Sequence, residues 1–225
     1  MQQTASQMKV IEQAKFYSPV EERINIISHA AGLILSIVGL MLLWVHASLN
    51  GNMWHVVSFT IFGASLIVLY AASTLYHSAS KQELRNRLRI IDHAAIYILI
   101  AGTYTPFALV TLKGSTGWVI FGVTWGLAVT GITLKLFFTG KYQVLSTLMY
   151  VFMGWVIVFA VKQLIQNLSV EGIAWLLAGG IAYTMGALIY SLGKIKFNHA
   201  IFHVFVLIGS FSHFVSVYLY VLPGE

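Results

Sequence analysis

Three histidines sit in one apolar stretch of this chain, His199 to Tyr220, which contains no Lys, Arg, Asp or Glu. His199 and His203 are four residues apart, so on a helix they stand one turn above the other on one face, the spacing at which two imidazoles can grip one metal ion. Ser73 and His77 repeat that spacing near the end of an earlier apolar segment, and Asp92, the only aspartate, opens the next one. Three neutral imidazoles, His77, His199 and His203, plus a water make the open tetrahedral site of a catalytic zinc. Asp92 then suits the role of holding or deprotonating that water. Ser73 could donate a hydrogen bond to a substrate carbonyl or a developing oxyanion. The alternative for such a histidine pair is hydrogen bonding between membrane helices, and the residues alone leave both open.

The elements that must position these groups are membrane helices. Of 225 residues, 58% are hydrophobic and 9% charged, and the mean hydropathy is +0.82. A soluble domain carries roughly 25% charged residues. Ionisable groups inside a membrane segment are costly enough to be functional candidates by default. Cysteine is absent, so a soft-metal site has to be built from histidine. Seven apolar segments are read at about 24–46, 54–77, 90–112, 117–138, 144–165, 173–192 and 199–222, each near the length that spans ~30 Å of hydrocarbon at 1.5 Å per residue. The fold class expected is all-α, a seven-transmembrane helix bundle in a single domain over 24–222. Residues 1–23 are read as a cytoplasmic N-terminal segment without a cleaved signal peptide, the first helix serving as signal.

Lys9, Lys15, Arg23, Lys81, Arg85, Arg87, Arg89, Lys135, Lys141, Lys194 and Lys196 fall on one side of these segments, 11 of the 13 basic residues. The positive-inside rule places that side in the cytoplasm, with the N-terminus inside and the C-terminus outside. The net charge of +6 is therefore read as topology and not as nucleic-acid binding. Ser80 to Glu83 has capping-box spacing, which predicts a short surface helix presenting Arg85, Arg87 and Arg89 to head groups. Pro106 predicts a kink. On this topology His77, Asp92, His199 and His203 share one layer, roughly 5 to 10 Å below the cytoplasmic surface by helical rise. His29 lies near that depth, either bridging helices or as a fourth ligand, and His93 faces elsewhere. His213 is ~15 Å deeper along its helix and too far to join the same ion.

Glu22-x-x-Asn25-x-x-x-His29, Ser73-x-x-x-His77, Asp92, Gly102-Thr-Tyr-Thr-Pro106-Phe107 and His199-x-x-x-His203 together resemble the hemolysin III family, the bacterial branch of the progestin and adipoQ receptor superfamily. The resemblance covers about residues 21–220. It implies a seven-helix bundle with a zinc ion near the inner face of the bacterial plasma membrane, held by His77, His199 and His203, with Asp92 holding water beside Ser73. Relatives linked to ceramide hydrolysis make a metal-dependent hydrolase of lipid amides or esters the leading expectation, with membrane lipids as partners and substrate. The alternatives are a non-enzymatic sensor with structural zinc, or a membrane-permeabilising protein.

Overall fold

The computed structural model describes residues 13–138 and 143–222; Lys9 and Lys141, used above for orientation, lie outside them. Eight α-helices are present among the described residues: α1 (Pro19–Asn50), α2 (Met53–Ser78), α3 (Gln82–Pro106), α4 (Gly114–Phe138), α5 (Gln143–Gly154), α6 (Val161–Asn167), α7 (Val170–Ser191) and α8 (Asn198–Ser216). With a 3-10 turn joining α5 to α6, and π-helical turns extending α3 to Leu112 and α8 to Val221, they form seven spans long and apolar enough to cross a membrane.

Local chemistry sets the ends. Ser18 caps α1, its hydroxyl accepting from the Glu21 N–H at 3.3 Å, and Pro19 occupies the first turn, where a missing N–H costs nothing. Asn52 and His55 form a reciprocal capping box at the start of α2. Ser169 caps α7 through the Gly172 N–H. Before α8, Phe197 adopts a left-handed conformation with φ 57°, a sharp entry that places His199 in the first turn.

The third span is the centre of the molecule: 78% of its most apolar window is buried, against 17% for the fifth. α2 packs on α1 and α3, α8 on α7 and α1, and α4 on α3. The approach of α2 to α3 depends on Gly102, where a Cβ would fall 2.3 Å from the Ser65 hydroxyl oxygen. The fifth span is interrupted where the α-helix stops at Gly154 and a 3-10 turn follows. The Tyr104 hydroxyl occupies that break, donating to the Gly154 carbonyl at 2.8 Å and accepting from the Ile157 N–H at 3.0 Å. This break was not expected, because the segment reads as one continuous apolar run. Pro106 does mark a departure from α-helical geometry, and the π-turn starts one residue later.

The basic loop differs from its sequence reading. Ser80 caps nothing; α3 itself begins at Gln82 after Lys81, with no side-chain cap. Of the three arginines only Arg87 is exposed, in an i,i+4 ion pair with Glu83, while Arg85 and Arg89 are buried. The reason is the chain before α1. Arg85 donates to the Lys15 carbonyl at 3.0 Å and Arg89 to the Gln13 carbonyl at 3.3 Å. Gln82 donates to the Ala14 carbonyl, and the Ala14 N–H to Asn86. Residues 13–18 thus form a strap bound across the basic end of the bundle, and the guanidiniums satisfy backbone carbonyls there instead of lipid phosphates.

Candidate metal centre

The last turn of α2 and the first two turns of α8 bring their histidines together at the basic end. The Nε2 atoms of His77 and His199 are 2.9 Å apart, and those of His199 and His203 are 3.0 Å apart. All three rings are buried, and one nitrogen from each lies within 4.8 Å of the others. Tetrahedral zinc with N ligands at about 2.0 to 2.1 Å holds its nitrogens about 3.3 Å apart, so the two close pairs would open by a few tenths of an ångström to accept an ion, the third lying within 4.8 Å.

The hydrogen bonding around the triad favours a cation at its centre. Behind His77, Nδ1 is 2.8 Å from Glu22 Oε2, and Arg85 pairs with the other oxygen of Glu22. A carboxylate can only accept, so His77 Nδ1 carries the proton and its Nε2 presents a lone pair. Ser28 lies 3.4 Å from Nδ1 of His203, and the Ser28 hydroxyl itself donates to the Asn25 carbonyl. With lone pairs converging from His77 and His203, His199 can offer one proton to two acceptors, and its own Nδ1 then has no partner among the described residues. A metal ion would satisfy all three nitrogens at once. Glu22 then stands where a carboxylate behind a ligating histidine would orient the ring and raise its basicity.

Other histidines are placed around this group. His29 stacks face to face on His203 with centroids 3.5 Å apart, and neither ring nitrogen has a partner among the described residues. It stands beside the triad and outside the cluster that could hold an ion. His213 is buried against Gly179 and the Tyr183 ring, away from the triad. His46 and His55 serve the opposite end, His46 contacting the Leu222 carbonyl at 2.7 Å and His55 capping α2.

His199 and His203 of the triad border a cavity of about 330 Å³. Asp92, Ser73, His199 and His203 line one end, Tyr183 and His213 a middle portion, and Leu164 and Ile173 the other end. The cavity lies among α3, the broken fifth span, α7 and α8, and its wall is overwhelmingly apolar. Asp92 is buried, with Ser73 on the same cavity wall; it lies outside the metal cluster but on the cavity that His199 and His203 also line. On the other side of the triad the strap closes the site, with Tyr17 stacked on His199 at 4.6 Å and its N–H bonded to Glu22 at 3.0 Å. Burial pushes the Tyr17 phenol well above the ordinary tyrosine range.

Sequence reasoning used Glu22 and Asn25 only as parts of a motif, and missed Tyr17 and Arg85 as neighbours of the site. Glu22 falls seven residues before His29, a helical spacing that could have pointed to it. For Tyr17, which acts through a non-helical strap, no periodic signal exists.

Seven apolar spans enclosing a buried tri-histidine cluster define a multi-pass membrane protein equipped to hold a metal ion. The Haemolysin-III related family model matches residues 17–214, and the chain belongs to that family. It is 49% identical to Hemolysin-3 of Bacillus cereus over 203 residues, 90% of this chain and 93% of that protein. Against the Hemolysin-3 homolog of Bacillus subtilis (strain 168) it is 48% identical over 200 residues, 89% of this chain and 94% of the relative. More distantly, it is 28% identical to the monocyte to macrophage differentiation factor of Homo sapiens over 222 residues, 93% of this chain and 90% of that protein.

Proposed function

We propose that this protein is a zinc-dependent hydrolase of lipid amide or ester bonds, resident in the bacterial plasma membrane, with its basic end and N-terminus in the cytoplasm. The observation that carries this reading is that two histidines of the triad, His199 and His203, line an apolar cavity of about 330 Å³ together with Asp92 and Ser73. That volume falls in the range of small-molecule sites, and a wall of hydrocarbon suits an acyl chain. The positive-inside rule supports the orientation, and the layer of the triad then matches the depth at which a lipid's amide or ester linkage lies.

Zinc held by His77, His199 and His203 would supply the Lewis acidity that polarises a carbonyl and makes a water acidic. Asp92 takes the proton of the attacking water as the O–C bond forms, and returns it to the leaving nitrogen or oxygen as the C–N or C–O bond breaks. In the resting site the Ser73 hydroxyl can donate a hydrogen bond to the Asp92 carboxylate, which orients it. Once Asp92 is protonated the Ser73 hydroxyl can turn to the oxyanion. Glu22, through His77, holds the ring in the tautomer the ion requires. Tyr17 and the strap keep bulk water off the cluster, so that substrate enters from the membrane side.

Purified protein with about one zinc per chain is expected to hydrolyse ceramide-like or ester lipids. Asp92→Ala should lower turnover at least ~100-fold, the scale of a lost general base, while keeping the metal. Zinc without turnover on either lipid class would sink the enzyme reading and leave zinc as a structural clip in a lipid-homeostasis protein. The relatives' name, hemolysin, raises membrane permeabilisation as a second reading; dye release from liposomes containing the purified protein would support it.

A further inference from the structure

Midway along the cavity two rings on facing helices each sit in a glycine notch of the other helix. A Cβ on Gly179 of α7 would fall 2.7 Å from Nε2 of His213 on α8, and a Cβ on Gly209 of α8 would fall 2.5 Å from the Tyr183 ring on α7. Each glycine precedes the ring of its own helix by four residues, so notch and ring share one face a turn apart. The ring centroids are 5.2 Å apart, and both rings line the cavity. Both also have hydrogen-bonding capacity to spare. His213 is 5% exposed, and its Nδ1 has no partner among the described residues. Behind Tyr183, the Tyr70 hydroxyl donates to Ser210 at 2.7 Å, and Ser210 lies 2.9 Å from the Tyr183 hydroxyl. Three hydroxyls that share these two hydrogen bonds leave one proton over. Passed along from Tyr70 through Ser210, that spare proton falls on Tyr183, the member of the three that lines the cavity.

A buried imidazole and phenol, fixed by packing in an apolar wall, are costly to leave unmatched. We infer that His213 and Tyr183 form a polar subsite that binds a hydroxyl carried on the acyl chain. This rests on the lipid-cavity reading above and narrows its substrate class to lipids with a hydroxylated chain. A hydroxyl suits both partners, because it accepts from a phenol while it donates to, or accepts from, an imidazole in either tautomer. In the hydrocarbon of the bilayer the same hydroxyl finds no partner, so the subsite favours the bound state. His213 lies ten residues past His203 on α8, ~15 Å by helical rise. An extended chain advances ~1.25 Å per bond, so with its carbonyl at the triad the hydroxyl falls at about the twelfth carbon.

Three probes of one chain length test this: 12-hydroxyoctadecanoate, its 6-hydroxy isomer and octadecanoate, titrated calorimetrically into the zinc-loaded protein in a neutral maltoside detergent. The 12-hydroxy acid should bind about three- to ten-fold tighter than either of the others, the scale of a neutral hydrogen bond or two. The isomer has the same polarity, so the difference reports position and not solubility. Tyr183→Phe leaves the ring in its notch and should erase most of the preference, while octadecanoate affinity and zinc content hold. His213→Leu should do the same. A 12-hydroxy acid that binds wild type no tighter than octadecanoate overturns the inference and leaves the lipid cavity standing, with water as the partner of both rings. A preference shared equally by the 6-hydroxy isomer, or one that survives both substitutions, also overturns it. Failure of all three probes would remove the lipid cavity and this subsite with it.

Discussion

Glu22 connects three parts of the site: the Tyr17 N–H and Arg85 meet one of its oxygens, and His77 meets the other. Glu22→Gln keeps the shape and removes the charge that holds the His77 proton on Nδ1. The expected loss of metal affinity is about 10- to 100-fold, measured by competition with a chromogenic chelator. His77→Ala should abolish stoichiometric zinc, read by elemental analysis, because two imidazoles from adjacent turns of α8 leave half of a tetrahedral shell empty. At this scale the triad was legible because spacing of four and equal depth are both written in the sequence. Depth and spacing also pointed to Asp92 and Ser73, which the structure places on the cavity lined by His199 and His203. Arg85 was not: a basic loop residue reads as a topology signal, and only the strap's carbonyls explain why it turns inward.

Helix contacts set the distances that the site requires. Gly102→Ala places a methyl 2.3 Å from the Ser65 oxygen, so α2 and α3 must part, carrying Ser73 away from Asp92. A loss of about 1 to 3 kcal/mol is expected for such overpacking, seen as a lower unfolding midpoint in mixed micelles, together with lower turnover. Tyr104→Phe keeps the ring and strips both hydrogen bonds from the break in the fifth span. Leaving a buried N–H and C=O unmatched costs about 1 to 3 kcal/mol, measurable by the same titration. The seven spans followed from apolar run length, though the fifth is built from two α-helices, and the π-turn lies where Pro106 pointed. The break at Gly154 and the strap over residues 13–18 did not, since both are fixed by side chains from distant helices and neither leaves a local period.

On the scale of the whole molecule the sequence shows charge asymmetry and the structure shows what part of that charge does besides. Arg85, Arg89 and Lys135 all count toward an inside-positive topology, yet each is buried. Their burial predicts that topology and site chemistry can be separated. A phosphatase fused after Leu222 should be active and a fluorescent protein fused there dark, with the converse for fusions before Gln13. Lys135→Gln should leave that pattern unchanged, since the remaining basic residues carry the bias. An inactive C-terminal phosphatase with a bright fluorescent protein there would reverse the assignment of the triad to the inner leaflet.

His77 and His199, whose nitrogens nearly touch, are separated by 122 residues of chain. At synthesis rates of roughly 5 to 20 residues per second, the ribosome needs roughly 6 to 24 s to make that interval. During it, Glu22, Arg85 and His77 already exist on the first three spans, and the two remaining ligands do not. An ion held by all three histidines would therefore enter only as the last span inserts, and a nascent chain arrested anywhere before His199 would carry a prepared half-cradle unable to retain it. Loading would then report that the last span has been made.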